Sequence, residues 1–299
     1  MCRRRLNLMK EMDSKTMANS LPDSEHIWPT RVNKPRSVAA VSHEFLSRLV
    51  TELDEDAVTA IILTGSVARG EATPYSDVDL TRFVQEGSEY TAYKPYTYRE
   101  GRLISINTRT ISHYREQFTV PQEAIFVIPN LREARILLDK DRVFRTLQQE
   151  AEAWTWEPLQ EAANNYAAGI LITYIEYVHK TLRAFLHQDI FALSEMTLGL
   201  FSALTDAIAV HRGMLVASGN TYFRQLQETV GQESPWSYHH RRIAGINTEV
   251  STQAKGITAL RLYQETAQLL WSALDLTDQE TVAQALTVID HALQSNGEG

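Results

Sequence analysis

The chain of 299 residues contains one cysteine, Cys2, so it forms no internal disulfide and offers no thiolate metal cluster. No apolar stretch approaches the roughly 20 residues that span a bilayer. No apolar segment follows the basic Met1-Cys2-Arg3-Arg4-Arg5 as it would in a secretory leader. These absences fit a cytoplasmic protein with no membrane partner. Internal repeats and low-complexity tracts are also missing. Basic charge is scarce in one region. Residues 151–299 hold 8 Lys and Arg against 16 Asp and Glu, whereas residues 1–150 hold 21 of each. The second half therefore carries the whole net charge of −8. An enzyme of nucleic acid needs basic tracks to meet phosphates, so this half argues against a nucleic-acid substrate. An acidic cleft suits a polycationic small molecule, although the same acids read equally well as solvated helix faces.

What is present is concentrated in residues 61–80, Ile-Ile-Leu-Thr-Gly-Ser-Val-Ala-Arg-Gly-Glu-Ala-Thr-Pro-Tyr-Ser-Asp-Val-Asp-Leu. Val58 to Leu63 is a short apolar run of the kind expected for a buried strand. It ends in Gly65-Ser66, where a tight turn can bring backbone N–H groups close to phosphate. Ser66 can offer its hydroxyl to a terminal phosphate, and Arg69 can add charge-assisted hydrogen bonds. Residues 66–71 are expected to form a short helix. After the turn Pro74-Tyr75-Ser76, Asp77 and Asp79 stand at i and i+2 on a second strand. Side chains alternate along a strand, so the two carboxylates share a face. Two hard oxygen ligands on one face are what Mg²⁺ bridging a triphosphate requires. The plain alternative is a βα turn beside an acidic strand edge.

The string Gly65-Ser66-x-Ala68-Arg69-Gly70, followed by Ser76-Asp77-x-Asp79-Leu80, resembles the signature of the DNA polymerase β-type nucleotidyltransferase superfamily. The small-molecule branch, which includes the aminoglycoside nucleotidyltransferases, and the minimal antitoxin-like branch are the nearest in pattern. The motif match covers about 25 residues. The resemblance implies transfer of a nucleoside monophosphate, AMP if the donor is ATP, from an NTP to an acceptor hydroxyl, with Mg²⁺ assisting and pyrophosphate leaving. It implies that Asp77 and Asp79 hold the metal and that Gly65, Ser66, Arg69 and Ser76 bind nucleotide. Alternatives from other classes are a protein-modifying AMP transferase of the antitoxin kind and a weakened nucleotide-binding sensor.

The chain departs from the family where a third carboxylate is called for on a neighbouring strand. The natural strand is 102–111, and its candidates are the uncharged Ser105 and Asn107. Both are neutral oxygen donors that do not reduce the charge of Mg²⁺ as a carboxylate does. Glu100, just before the strand, substitutes only if the register differs.

The expected architecture is α+β: a polymerase β-like domain with a mixed sheet flanked by helices, then an all-α helical bundle. Residues 1–30 read as a mobile tail, 31–150 as the catalytic domain and 151–299 as a helical acceptor-binding domain. Helices are expected at 37–53, 121–127 and 141–153, and strands from 79 to about 84, at 96–98, at 103–111 and at 134–138. Past residue 157 the pattern becomes helical: 157–187, 189–217, 220–230, 254–274 and 278–294. Within the first of these, Glu176 and Lys180 are i, i+4 and share a face. By residue type alone the pair is an ordinary helix-stabilising one. Kanamycin-type nucleotidyltransferases are similar in carrying a helical Glu as base and a Lys on phosphate one turn later, which would make Glu176 the base and Lys180 a nucleotide ligand. His179, beside them, reads as a packed or solvated side chain. Residues 235–242, Pro-Trp-Ser-Tyr-His-His-Arg-Arg, combine rings and cations that could stack a base or simply end a helix. Glu195, Asp206 and Tyr166 lie on expected helices and are candidates to line an acceptor pocket, with nothing local to select them. In some relatives two chains share the cleft, which leaves a homodimer open.

Overall fold

The computed structural model describes residues 41–246 and 250–295. The expected tail, the start of the first helix and residues 247–249 and 296–299 lie outside them. The first part contains helices α1 (His43–Leu53), α2 (Gly65–Arg69), α3 (Ile111–Gln117), α4 (Pro121–Arg132) and α5 (Val143–Ala153). Its strands are β1 (Val58–Thr64), β2 (Val78–Val84), β3 (Tyr96–Arg99), β4 (Arg102–Arg109) and β5 (Arg135–Asp139). Seven further helices follow: α6 (Gln160–Thr173), α7 (Ile175–Leu186), α8 (Ile190–His211), α9 (Tyr222–Val230), α10 (Pro235–Ala244), α11 (Thr252–Leu270) and α12 (Leu276–Ser295). This is the expected class, a mixed sheet with helices followed by a helical region.

The sheet order is β3-β4-β2-β1-β5, with β2 and β4 parallel and every other pair antiparallel. Central strands covered on both faces read as continuous apolar runs, and β1 does: Ile61, Ile62 and Leu63 are fully buried. Each such side chain contributes about 2–3 kcal/mol by leaving water. One face carries Ile61, Leu63, Val78, Leu80 and Ile104 against α1. Ser42 caps that helix by accepting from the Phe45 N–H, and the helix buries Phe45, Leu46, Leu49 and Leu53 along one stripe. The other face packs Ala60, Ile62 and Phe83 against Ala124 and Ile128 of α4 and Phe144 and Leu147 of α5.

Helix α4 is apolar on two sides. Ala124, Ile128 and Leu131 face the sheet core, while Ile125 joins the core of the helical part. It continues to Arg132, past the expected end near Val127, and contributes side chains to both cores. In the helical part α8 lies centrally, with α6, α7 and α11 as its main neighbours. By length and composition α8 could cross a membrane, contrary to the expectation that no segment comes near. Glu195 and Asp206 interrupt its apolar run and hid it, and 56% of the apolar window is buried inside this fold.

Other elements differ from expectation too, and α3 was not among the expected helices. The helix expected over 157–187 breaks at Tyr174, whose ψ of 2° separates α6 from α7. Thr173, Tyr174 and Ile175 are β-branched or aromatic and disfavour helix at that point. The strand expected to reach Ile111 stops at Arg109, because Thr110 caps α3 by accepting from the His113 N–H. Helix α8 ends at His211 rather than near 217, which frees residues 212–218 to run as a loop into a short 3-10 turn, Gly219–Thr221.

Candidate active site

Strand β1 delivers the chain to the Gly65 turn, and β2 returns beside it with Thr64 opposite Asp79. Gly65 has φ +69°, and a Cβ there would run into the Asp79 carboxylate. Glycine is needed twice over, for the backbone angle and for the space. Val78 and Leu80 point to the α1 face, so Asp79 and Thr81 point to the α4 face by the two-residue alternation of a strand.

On that side lies a cleft of about 360 Å³. Gly65, Ser66, Arg69, Asp77 and Asp79 line it together, with Thr81, Asn107 and Tyr114 beside them. Phe126 and Asn130 of α4 form part of its wall, and residues Val216 to Asn220, from the loop after α8, close the far side. That loop is held firmly: the Val216 N–H donates to the Ile125 carbonyl at 2.7 Å, and the Gln225 side chain bonds to Leu215 and Ala217.

The two aspartates interact strongly. Burial and then the charge of Asp77 push the Asp79 carboxyl up to about 6, against the opposing pull of a Ser105 hydrogen bond and Arg69. Arg69 offsets the repulsion within this pair only in part. Arg69 is held by Glu71 at 2.8 Å and more loosely by Glu133 at 3.5 Å. The Glu71 hydrogen bond keeps its guanidinium firmly protonated.

Parallel pairing sets Ser105 beside Asp79 and Asn107 beside Thr81. Ser105 is buried, and Asn107 reaches the cleft. No third carboxylate stands there, and among the described residues no group of three or more His, Cys, Asp or Glu side chains is placed to hold a metal. Glu100 sits in the β3–β4 turn, pairs with Arg48 of α1 and does not line the cleft. The donors that are present, two carboxylates, a hydroxyl and an amide, are hard oxygen ligands of the kind Mg²⁺ accepts alongside water and phosphate. The partly compensated aspartate pair therefore fits a divalent cation.

The remaining expected residues are placed elsewhere. Ser76 uses its hydroxyl to accept from the Thr73 N–H at 2.8 Å, which ties the turn that presents Asp77, and it does not line the cleft. Glu176 and Lys180 pair with each other at 2.8 Å on α7. Lys180 lines a separate cavity between α7 and α8, and neither residue lines the Asp77–Asp79 cleft. Helix α7 packs chiefly on α6, α8, α11 and α12, away from the sheet. The 235–242 cluster is largely core: Trp236 and His240 are buried and stacked at 4.8 Å, and the Trp236 indole donates to Thr266. By contrast, Asp206 and Tyr166 do come near one another. The Tyr222 hydroxyl donates to Asp206 at 3.0 Å, and the Asp206 charge helps raise the proton affinity of Tyr166. The Tyr222 ring meets that of Phe126, a cleft residue, at 6.0 Å.

Sequence reasoning missed Phe126, Asn130, Tyr114 and the whole 216–220 loop. The early end of α8 at Arg212-Gly213 is the one signal that could have found the loop.

Comparison with known proteins agrees with this geometry. Residues 46–134 match the family described as the nucleotidyltransferase domain. The matched segment takes in β1 to β4 and the cleft's aspartates, so this part of the chain is a nucleotidyltransferase domain of the polymerase β-like type, and a transferase is the class that such a domain implies. A solved structure of a nucleotidyltransferase-like protein from Exiguobacterium sibiricum 255-15 is similar to this chain at 10% identity and a TM-score of 0.45. That likeness covers 85% of this chain and 89% of the other. No curated protein matches the chain.

Proposed function

We propose that the chain is a divalent-metal-assisted nucleotidyltransferase that moves AMP from ATP to a hydroxyl of a small, amine-bearing acceptor such as an aminoglycoside. The observation that carries this reading is the meeting of Asp77 and Asp79 with Gly65, Ser66 and Arg69 on one cleft. Asp77 and Asp79 would hold Mg²⁺, which when bound neutralises and orients the triphosphate. Ser66 donates its hydroxyl to an outer phosphate, and Arg69 donates N–H groups to the departing pyrophosphate. The acceptor oxygen forms a bond to the α-phosphorus as the bond from phosphorus to the bridging oxygen breaks. The acceptor's hydroxyl proton passes to solvent water as pyrophosphate departs with the bridging oxygen. Phe126, Asn130 and the 216–220 loop wall the acceptor end. The acidic balance of residues 151–299 and the Asp206–Tyr222 pair behind Phe126 support a cationic acceptor. Glu176 and Lys180, being outside the cleft, have no part in this scheme for a single chain.

The neutral Ser105 beside Asp79 favours a second reading, nucleotide binding without transfer. Incubation with α-labelled ATP, Mg²⁺, a panel of amino-sugars and a cell lysate separates the readings. Label on an amino-sugar supports the proposal. Label on a protein moves the acceptor class to polypeptide. Mg·ATP binding without transfer supports the second reading, and failure to bind Mg·ATP overturns both.

A further inference from the structure

We propose that the outer corner between α7 and α8 is the two-fold interface of a homodimer. The helices are joined by a short turn with Gln188 at φ +53°. Four large apolar side chains project from it: Phe191 is 90% exposed, Leu186 77%, Leu198 63%, and Ile190 half exposed. Phe191 and Leu198 are seven residues apart and share one face of α8. Clustered apolar exposure of this kind marks an interaction surface.

The surface is built to meet its own copy. Next to Phe191 in the chain, Ala192 opens a recess of about 410 Å³ that Ala184 and Met196 also line, edged by Lys180, Arg183, His187 and Asp189. A projecting ring next to a mainly apolar recess large enough for one is self-complementary, which a two-fold interface requires and an unrelated partner does not. The charges follow the same rule. Lys180 and Arg183 lie close to Glu176, Asp189 and Glu195. A half-turn about a local axis can then set each sign opposite the other. No residue of this corner lines the Asp77–Asp79 cleft, so the inference is independent of the proposed chemistry.

Sedimentation velocity and light scattering on the full chain test it. At micromolar concentration the protein is expected at twice the chain mass. Phe191→Glu, at a solvent-exposed position, leaves the circular dichroism spectrum unchanged and raises the dimer dissociation constant on the order of a hundredfold. Ala192→Trp fills the recess while removing no contact, and gives the same loss. Leu276→Glu, an equally exposed position on α12, keeps the dimer mass. A wild-type chain at single mass, a dimer that survives either corner variant, or one equally lost in Leu276→Glu overturns the proposal.

Discussion

Replacing Gly65 by alanine separates backbone strain from site geometry, because Gly70 offers a control in the same short segment. Both have positive φ, +69° and +76°. A Cβ at Gly70 meets nothing within 4 Å, whereas one at Gly65 strikes the Asp79 carboxylate. Gly70→Ala therefore carries only the left-handed backbone cost, about 1 kcal/mol, or ~3 °C in Tm for a unit of this size. Gly65→Ala carries that cost plus displacement of Asp79 or of the turn, for a total of about 2–4 kcal/mol and ~5–12 °C. The functional contrast is larger than the thermal one. Moving Asp79 by the width of a methyl group breaks the pairing with Asp77, so Mg·ATP binding should fall by about a hundredfold or more in Gly65→Ala. It should stay within about twofold of wild type in Gly70→Ala. Calorimetric titration of Mg·ATP into both variants, with melting curves on the same samples, reads the two effects separately. Equal Mg·ATP affinity in the two variants would refute the claim that Gly65 is there to make room for Asp79.

Four further outcomes are expected. Asp77→Asn and Asp79→Asn should each abolish transfer of labelled AMP, by about a thousandfold or more, while circular dichroism shows an intact fold. The Asp79 carboxyl takes up a proton near pH 6, so Mg·ATP affinity should be level above that pH and fall about tenfold per pH unit below it, a dependence that calorimetry should find missing in Asp79→Asn. Asp206→Asn, which reaches the cleft wall only through Tyr222 and Phe126, should raise the KM for an amine-bearing acceptor about twofold to threefold and leave Mg·ATP affinity unchanged. Burial, helped by Arg241, holds the His240 imidazole down at about 4. The unfolded chain then binds the extra proton between about pH 6.5 and 4, so stability falls as pH drops through that window, by up to about 3 kcal/mol. Denaturant titrations of wild type and His240→Phe should differ in slope there and nowhere else.

The Asp77–Asp79 side of the cleft was legible as geometry because its parts are contiguous. Residues 58–80 carry a strand, a glycine turn and a second strand, and local rules of alternation place Asp77 and Asp79 without knowledge of the rest. The opposite wall of the cleft was not legible, since Phe126, Asn130 and the 216–220 loop come from segments far apart in sequence, and α4 and the early end of α8 bring them together. Glu176 and Lys180 show the limit of a helical pair as a signal. Spacing of four residues says that two side chains share a face, and says nothing of whether that face looks into the cleft or out from the α7–α8 corner. Ser76 shows the same limit in a turn, where a hydroxyl that could reach phosphate is used to shape the loop that carries Asp77. Asp206 and Tyr166 were visible as residues but acquired a relation only through Tyr222.

Arg69 has a consequence for what can enter the cleft. With Glu71 and Glu133 already on its guanidinium, and Asp77 and Asp79 across from it, four acids surround one permanent cation. An uncomplexed nucleotide tail arriving there meets net repulsion, and a nucleotide that brings its own divalent counter-ion does not. On the proposed function, the mouth of the cleft would thus sort free from complexed nucleotide before any chemistry begins.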